Sequence, residues 1–228
     1  ILAGIQQMKK SAGRFLIDAA SSHAKRLSAY LKKQKGVERI EIAGSLRRCK
    51  ETVKDIDILV SAKNPAAIHN AFVQYAETAS VIAHGETKSS ITLKSGNNCD
   101  LRTVTLKEFP YALYYFTGSK EHNVAVRTLA KKKGIKINEY GLFKGKRLIP
   151  CADEAEIFER VGLHYIPPEA RENTGEIELA AKQDFPELVA EKDIRGVFHV
   201  HSTYSDGVAS LEEMIRSAEE KGYEYEGI

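Results

Sequence analysis

The sequence predicts an α+β chain: a mixed sheet flanked by helices, then a short α/β segment, then the first βα unit of a second domain. Three observations carry this. Residues 55–60 (DIDILV) alternate acids with apolar side chains, the period of a half-buried strand. Helical patterns bracket the strand-rich region, over 1–35 before it and over 111–116 and 119–133 after it. Later, an acidic, proline-bearing stretch with few large apolar residues precedes a new strand-to-helix pattern around HVHSTYSDG at 199–207.

Taken in order, residues 1–35 carry a broken apolar stripe of Phe15, Leu16, Ala19, Ala20, Leu27 and Leu31, with Gly36 as the stop. Lys9, Lys10, Lys25, Arg26, Lys32 and Lys33 read as its wet face. A strand ending at Ala43 passes through a Gly44-Ser45 turn into a short helix bearing Arg47 and Arg48, and the acidic strand follows. Asn64-Pro65 opens a helix that buries Ile68, Phe72 and Val73, with His69 on its surface. Strands at 81–83 and 91–93 lead to the turn 95–98, which delivers Asp100, Arg102 and Val104 on one face of a further strand. His84 has no partner at an informative spacing and reads as structural. Pro110 suits a first helical turn, Gly118 breaks the aromatic run, and Ser119 caps a helix closed by Gly134. On that helix Asn123, Arg127 and Lys131 share a face.

The chemistry follows from this order. Asp55 and Asp57 project to the same side of their strand, about 7 Å apart along it, close enough to share oxygen-seeking cations. Asp100 supplies a third carboxylate from a second strand. Two Mg²⁺ ions clamping the attacking and leaving oxygens of a phosphoryl transfer need bridging carboxylates on rigid strands, and three aspartates suffice. Gly44 lets backbone approach a ligand closely, while Ser45 and Arg48 can hold a phosphate tail.

The chain has 228 residues, room for one large domain or two modest ones, and a formal net charge of +3. Distribution says more than the total. Lys120, Arg127, Lys131, Lys132, Lys133 and Lys136 stand against Glu121 alone over 120–136, a block suited to phosphate, whereas 152–178 is strongly acidic. Cys49, Cys99 and Cys151 have no C-x-x-C pairing, which argues against a disulfide framework or zinc ribbon and for a reducing compartment. No apolar run reaches membrane-spanning length, and no signal peptide is visible.

Gly44-Ser45-Leu46-Arg47-Arg48, Asp55-Ile56-Asp57 and Asp100-Leu101-Arg102 resemble the palm motifs of family X DNA polymerases, within the nucleotidyltransferase superfamily. The likeness continues through YYFTGS at 114–119, NEY at 138–140 and HVHSTYSDG, the order seen in bacterial members with a C-terminal polymerase and histidinol phosphatase (PHP) domain. It covers essentially the whole chain. The resemblance implies an end of the fingers at 1–13, a nucleotidyltransferase palm at 14–106, a thumb at 107–166, a linker at 167–195 and the start of a PHP (β/α) barrel at 196–228. It also implies a piece of a longer protein, in which lyase and helix-hairpin-helix elements come first and later strands complete the PHP site.

By the same resemblance, Asp55, Asp57 and Asp100 hold two Mg²⁺ and Asp100 helps deprotonate the primer 3′-hydroxyl. Ser45 and Arg48, with Gly44, bind the β- and γ-phosphates of a dNTP, and Arg102 orients the aspartates. Tyr115 and Phe116 pack on the incoming sugar, Gly118-Ser119 is a cis peptide, Asn123 meets the nucleotide's minor-groove edge and Arg127 the template. Lys120 stands where some relatives carry an acid. His199, His201 and Asp206 begin a PHP site for Mn²⁺ or Zn²⁺, since H-x-H on a strand face followed by an acid suits those ions. The implied protein is a monomeric bacterial, cytoplasmic repair polymerase that fills gaps in DNA, probing no membrane, with a 3′-5′ exonuclease or phosphoesterase completed outside these residues. Two other functions share part of the pattern: a nucleotidyltransferase acting on RNA or a small molecule, and a DNA-binding fragment without turnover.

Overall fold

Alternation of the acidic strand places it in the middle of a sheet, and the computed structural model, which describes residues 13–182 and 185–227, puts it there. The strands Val37–Ile42 (β1), Asp55–Ala62 (β2), Thr78–His84 (β3), Lys88–Leu93 (β4) and Asn98–Val104 (β5) form a five-stranded sheet in the order β1-β2-β5-β4-β3. Its one parallel pair is β2 with β5; the other neighbours are antiparallel. A parallel pair needs a crossover. Helix Pro65–Val73 and the β3–β4 hairpin supply it, and this brings Asp57 directly opposite Asp100.

Ile56, Ile58, Val60, Ile91, Cys99 and Leu101 point to the other face of the sheet. There they are buried against Ala20, Ala24, Leu27 and Leu31 of helix Ile17–Lys32 and against Ile68 and Phe72. The helical stripe therefore begins later than the sequence pattern suggested. Phe15 and Leu16 are a short strand paired with Val53 and Thr52, and Leu16 is exposed. The part of the expected first helix that falls on residues 1–12, and with it nearly all of the expected fingers segment, lies outside the described residues.

His69 is a correction. It is buried, not on the surface, with Nδ1 2.8 Å from the Ser89 hydroxyl and Nε2 2.9 Å from that of Thr103. The helix packs flat on the sheet, so a position beside Ile68 meets two strand hydroxyls that sequence spacing does not reveal.

Helix Phe109–Thr117 is apolar nearly all round and is buried on two sides. Phe109, Ala112 and Leu113 pack on Ala43 and Leu59, while Tyr111 and Tyr114 belong to a second core with Val126, Ala130, Leu142, Ile157 and Phe158. That second core joins helix Lys120–Lys132, capped by the Ser119 hydroxyl, to the antiparallel strands Ile135–Asn138, Gly141–Lys144 and Arg147–Ile149 and to helix Glu154–Val161.

The linker expected from residue 167 is also corrected. Residues up to the short helix Glu176–Ala181 are packed, with Arg171, Glu176, Ile177 and Ala180 buried, and the division into two compact units falls at Pro186. The acidic composition that suggested a linker belongs partly to carboxylates with buried partners.

In the second unit, Gly196–Val197 pairs in parallel with Tyr225–Glu226, and helix Leu211–Glu220 lies between them in sequence, opened by a capping box of Ser210 and Glu213. The strand expected over 197–200 stops at Val197. His199 has φ +59°, which ends the extended alternation, and the His199 and His201 rings lie 5.1 Å apart. Their proximity comes from a turn rather than from a shared strand face. Among the described residues no helix is long and apolar enough to cross a membrane.

Candidate active site

Register makes the polar face of the sheet a small grid. Asp57 stands opposite Asp100, which stands opposite Ser90; Asp55 faces Asn98, which faces Thr92; Leu59 faces Arg102, which faces Lys88. The backbone therefore gathers Asp55, Asp57 and Asp100 on one surface. Burial pushes the Asp57 carboxyl up to about 6, and the neighbouring carboxylates of Asp100 and Asp55 add to the shift, while Arg102 and Lys88 oppose it. Asp100 is occupied: its Oδ1 accepts from the Ser90 hydroxyl at 2.6 Å and its Oδ2 lies 2.6 Å from the Lys88 ammonium.

The Gly44 turn fits against this face. The Ala43 amide donates to the Asp57 carbonyl at 2.8 Å, and Gly44 has φ +63°. A Cβ on Gly44 would lie 2.1 Å from Asp57 Oδ2, so both conformation and space demand glycine. After the turn, Arg48 donates from Nη1 to the Thr117 carbonyl (2.6 Å) and from Nε to Glu172 (2.8 Å). Arg47 makes a bidentate pair with Glu154, at 2.9 and 2.5 Å, and reaches the Thr117 hydroxyl. Arg171, fully buried, donates to the same Glu154 at 2.6 Å. Burial alone would raise the Glu154 carboxyl; hydrogen bonds and charge from the two arginines hold it below the usual range.

Between these parts lies an open cleft of about 340 Å³, with Gly44, Ser45, Arg48 and Asp57 on one side and Tyr115, Phe116, Gly118, Asn123 and Arg127 on the other. The Gly118-Ser119 peptide is cis. Tyr115 and Phe116 meet edge to face, 5.2 Å between centroids. Asn123 is tied by Nδ2 to the Tyr115 carbonyl (2.8 Å), and its buried Oδ1 has no hydrogen-bond partner among the described residues. Arg127 is exposed and donates to the Asn123 carbonyl, and Lys120 also lines the cleft. The Arg102 guanidinium lies 4.3 Å from the centre of the Phe116 ring, and its charge opposes the rise of the Asp57 carboxyl.

Reading the sequence did not single out Lys88, Ser90, Thr117, Glu154, Arg171 or Glu172. All are ordinary polar types at unremarkable spacings, and only strand register or the return of 154–172 to the Gly44 turn gives them partners. His122 carries no signal in the sequence either; it is buried, with Nδ1 2.8 Å from Glu176.

The donor set suits a hard divalent cation: three carboxylates on one face, with like charge crowded enough to displace the titration of Asp57. The side chains as they stand do not converge on a common point, and among the described residues no three His, Cys, Asp or Glu groups do. Loading would require Lys88 to leave Asp100 Oδ2. In the second unit, His201 Nδ1 lies 2.5 Å from Asp206 Oδ1, an imidazole and carboxylate already joined.

The DNA polymerase beta thumb family matches residues 112–172. Over its full length the chain is 37% identical to the DNA polymerase/3′-5′ exonuclease PolX of Bacillus subtilis, spanning 40% of that protein. Over 140 residues it is 31% identical to the repair DNA polymerase X of African swine fever virus, covering 58% of this chain and 80% of the viral one. The fold resembles Leishmania infantum polymerase beta, solved as a ternary P/T complex, with a TM-score of 0.62 at 25% identity over 74% of this chain and 80% of that one. With a viral repair polymerase matched over most of its length, and a cleft between aspartate-bearing strands and an arginine-bearing turn, the chain belongs to the family X DNA polymerases.

Proposed function

We propose that this chain carries out the nucleotidyl transfer of a gap-filling repair polymerase, joining a dNTP to a primer 3′ terminus on DNA. One observation carries the reading: Asp57 and Asp100 stand in register on neighbouring strands beside Asp55, at the edge of a cleft whose far wall is Tyr115, Phe116 and Asn123. Asp55, Asp57 and Asp100 would hold two Mg²⁺ ions, whose chemistry when bound is to neutralise charge on the attacking and leaving oxygens. Asp100 would help deprotonate the primer hydroxyl. Ser45 and Arg48 would steady the triphosphate. Arg48 already has Nε and Nη1 anchored by Glu172 and Thr117, so its fork is held in one orientation before the ligand arrives. The Tyr115-Phe116 pair would flank the sugar, Asn123 the minor-groove edge of the base and Arg127 the template strand.

The palm, in this reading, is the five-stranded sheet with its helices, and the thumb begins with helix Phe109–Thr117. The second unit would be the first βα unit of a PHP barrel, with His199, His201 and Asp206 contributing ligands for Mn²⁺ or Zn²⁺ to an exonuclease site like that named for the Bacillus relative. The His201–Asp206 bond supports this, because a carboxylate on one ring nitrogen orients the imidazole.

Extension of a labelled primer in gapped DNA with Mg²⁺ tests the polymerase assignment. Asp100→Ala should remove extension; a variant that extends as well as the parent would sink it.

A further inference from the structure

We infer that Lys88 is a tethered counter-ion of Asp100, a positioning residue whose ammonium must leave that carboxylate before a divalent cation can take it. The inference rests on the reading of Asp100 as a metal ligand and adds a residue to that site. Both oxygens of Asp100 are engaged, one by a neutral donor and one by a cation: Ser90 Oγ on Oδ1 and Lys88 Nζ on Oδ2, each at 2.6 Å. Ser90 is the direct cross-strand partner of Asp100. Lys88 is not, because it stands opposite Arg102. Two like charges directly opposed on an antiparallel pair repel, so the Lys88 side chain is drawn along the diagonal to the carboxylate, within easy reach for a chain of its length.

The contact is built to open. The Lys88 side chain is 41% exposed and that of Asp100 25%, so the ammonium can return to water without leaving a buried charge unpaired. Ser90 keeps its hydrogen bond meanwhile and holds the carboxylate in place. Among the described ion pairs, neither Asp55 nor Asp57 has a cation of its own. Lys88 thus singles out Asp100 as the carboxylate that loads last, and the cation that needs Asp100 is the one whose binding it weakens.

Equilibrium titration with Mn²⁺ alone, followed by the electron paramagnetic resonance signal of the free ion without nucleotide or DNA, tests this on the full chain. The variants are Lys88→Met, Asp100→Ala, the double variant, and Lys94→Met as a matched loss of an exposed charge; Lys88→Gln stands in if methionine perturbs the strand. Lys88→Met should tighten one Mn²⁺ site on the order of tenfold, and the gain should vanish in the Asp100→Ala background. An unchanged or weaker Kd in Lys88→Met, a gain that persists without Asp100, or an equal gain in Lys94→Met overturns the assignment. If Asp100→Ala binds Mn²⁺ as the parent does, the metal reading of the aspartates fails and takes the Lys88 role with it. If Asp100→Ala loses a site while Lys88→Met changes nothing, only the role of Lys88 fails.

Discussion

On the sheet side of the cleft, Asp55, Asp57 and Asp100 crowd on one face, and among the described ion pairs only Asp100 has a partner, Lys88. Behind the Gly44 turn the arginines are paired with acids: Arg47 and Arg171 converge on Glu154, and Arg48 meets Glu172. Both sides are charged, yet they are opposite in kind. A carboxylate pushed up by burial and by its own neighbours lies where negative charge outweighs positive, which is where a ligand's positive charge fits. A carboxylate held low between two arginines is already satisfied and serves as scaffold. Perturbed titration alone therefore does not mark a site: of these two carboxylates, one is displaced by burial and crowding and the other by its arginine partners.

Substitutions can break this contrast. The largest expected effect is at Asp57. Asp57→Asn should lower primer extension on the order of 10³-fold, because on the proposed reading Asp57 would help hold the metal ions that neutralise charge in the transfer. The same variant should raise the stability of the metal-free chain by about 1 kcal/mol near neutral pH, since it removes a crowded charge. The sign follows from the raised carboxyl: the folded chain binds that proton more tightly, so the parent loses this stability as pH rises toward and through about 6. Urea melts of parent and Asp57→Asn at pH 7.5 and at pH 4 should differ at the first and agree at the second. A variant that is less stable at both would show that Asp57 is scaffold.

Glu154→Ala should behave in the opposite way. It strands Arg47 and Arg171, one of them fully buried, and should cost about 3–5 kcal/mol in thermal or denaturant unfolding. Because partners hold the Glu154 carboxyl low, its contribution is present above the ordinary carboxylate range and is lost as pH falls through its folded value. The parent should therefore lose stability in acid more steeply than Glu154→Gln does. Equal acid limbs for the two proteins would contradict the arginine clamp.

Gly44→Ala couples the two sides. A methyl group 2.1 Å from Asp57 Oδ2, at a φ of +63°, should cost about 1–3 kcal/mol and should reduce extension more than it reduces stability, since it displaces the carboxylate. Comparison of kcat at 10 °C with unfolding midpoints separates the two losses. The smallest effect should come from Thr117→Val, which removes only the hydrogen bond that the Arg47 guanidinium donates to the hydroxyl, at about 1.5 kcal/mol by denaturant titration, with primer extension close to that of the parent.

Much of this could be read from residue order. The alternation of DIDILV named the face that carries the aspartates, Asn64 and Ser119 marked helix starts where caps are found, and Gly118 marked the break between two helices. These are local signals, because strand period and capping act within a few residues. The linker at 167–195 misled for the opposite reason. Its acids look solvated when counted, but Glu172 and Glu176 are taken up by Arg48 and His122, which lie far away in sequence.

By itself, then, the order of amino acids determined which residue types sit on which face of each element, since that depends only on backbone period and on the chain's nearest neighbours. The tertiary structure alone decided that Asp57 and Asp100 would stand side by side, that Lys88 would lean toward Asp100, and that one glutamate would serve two arginines. Those outcomes depend on strand register and on how segments more than a hundred residues apart meet, and no local period encodes either.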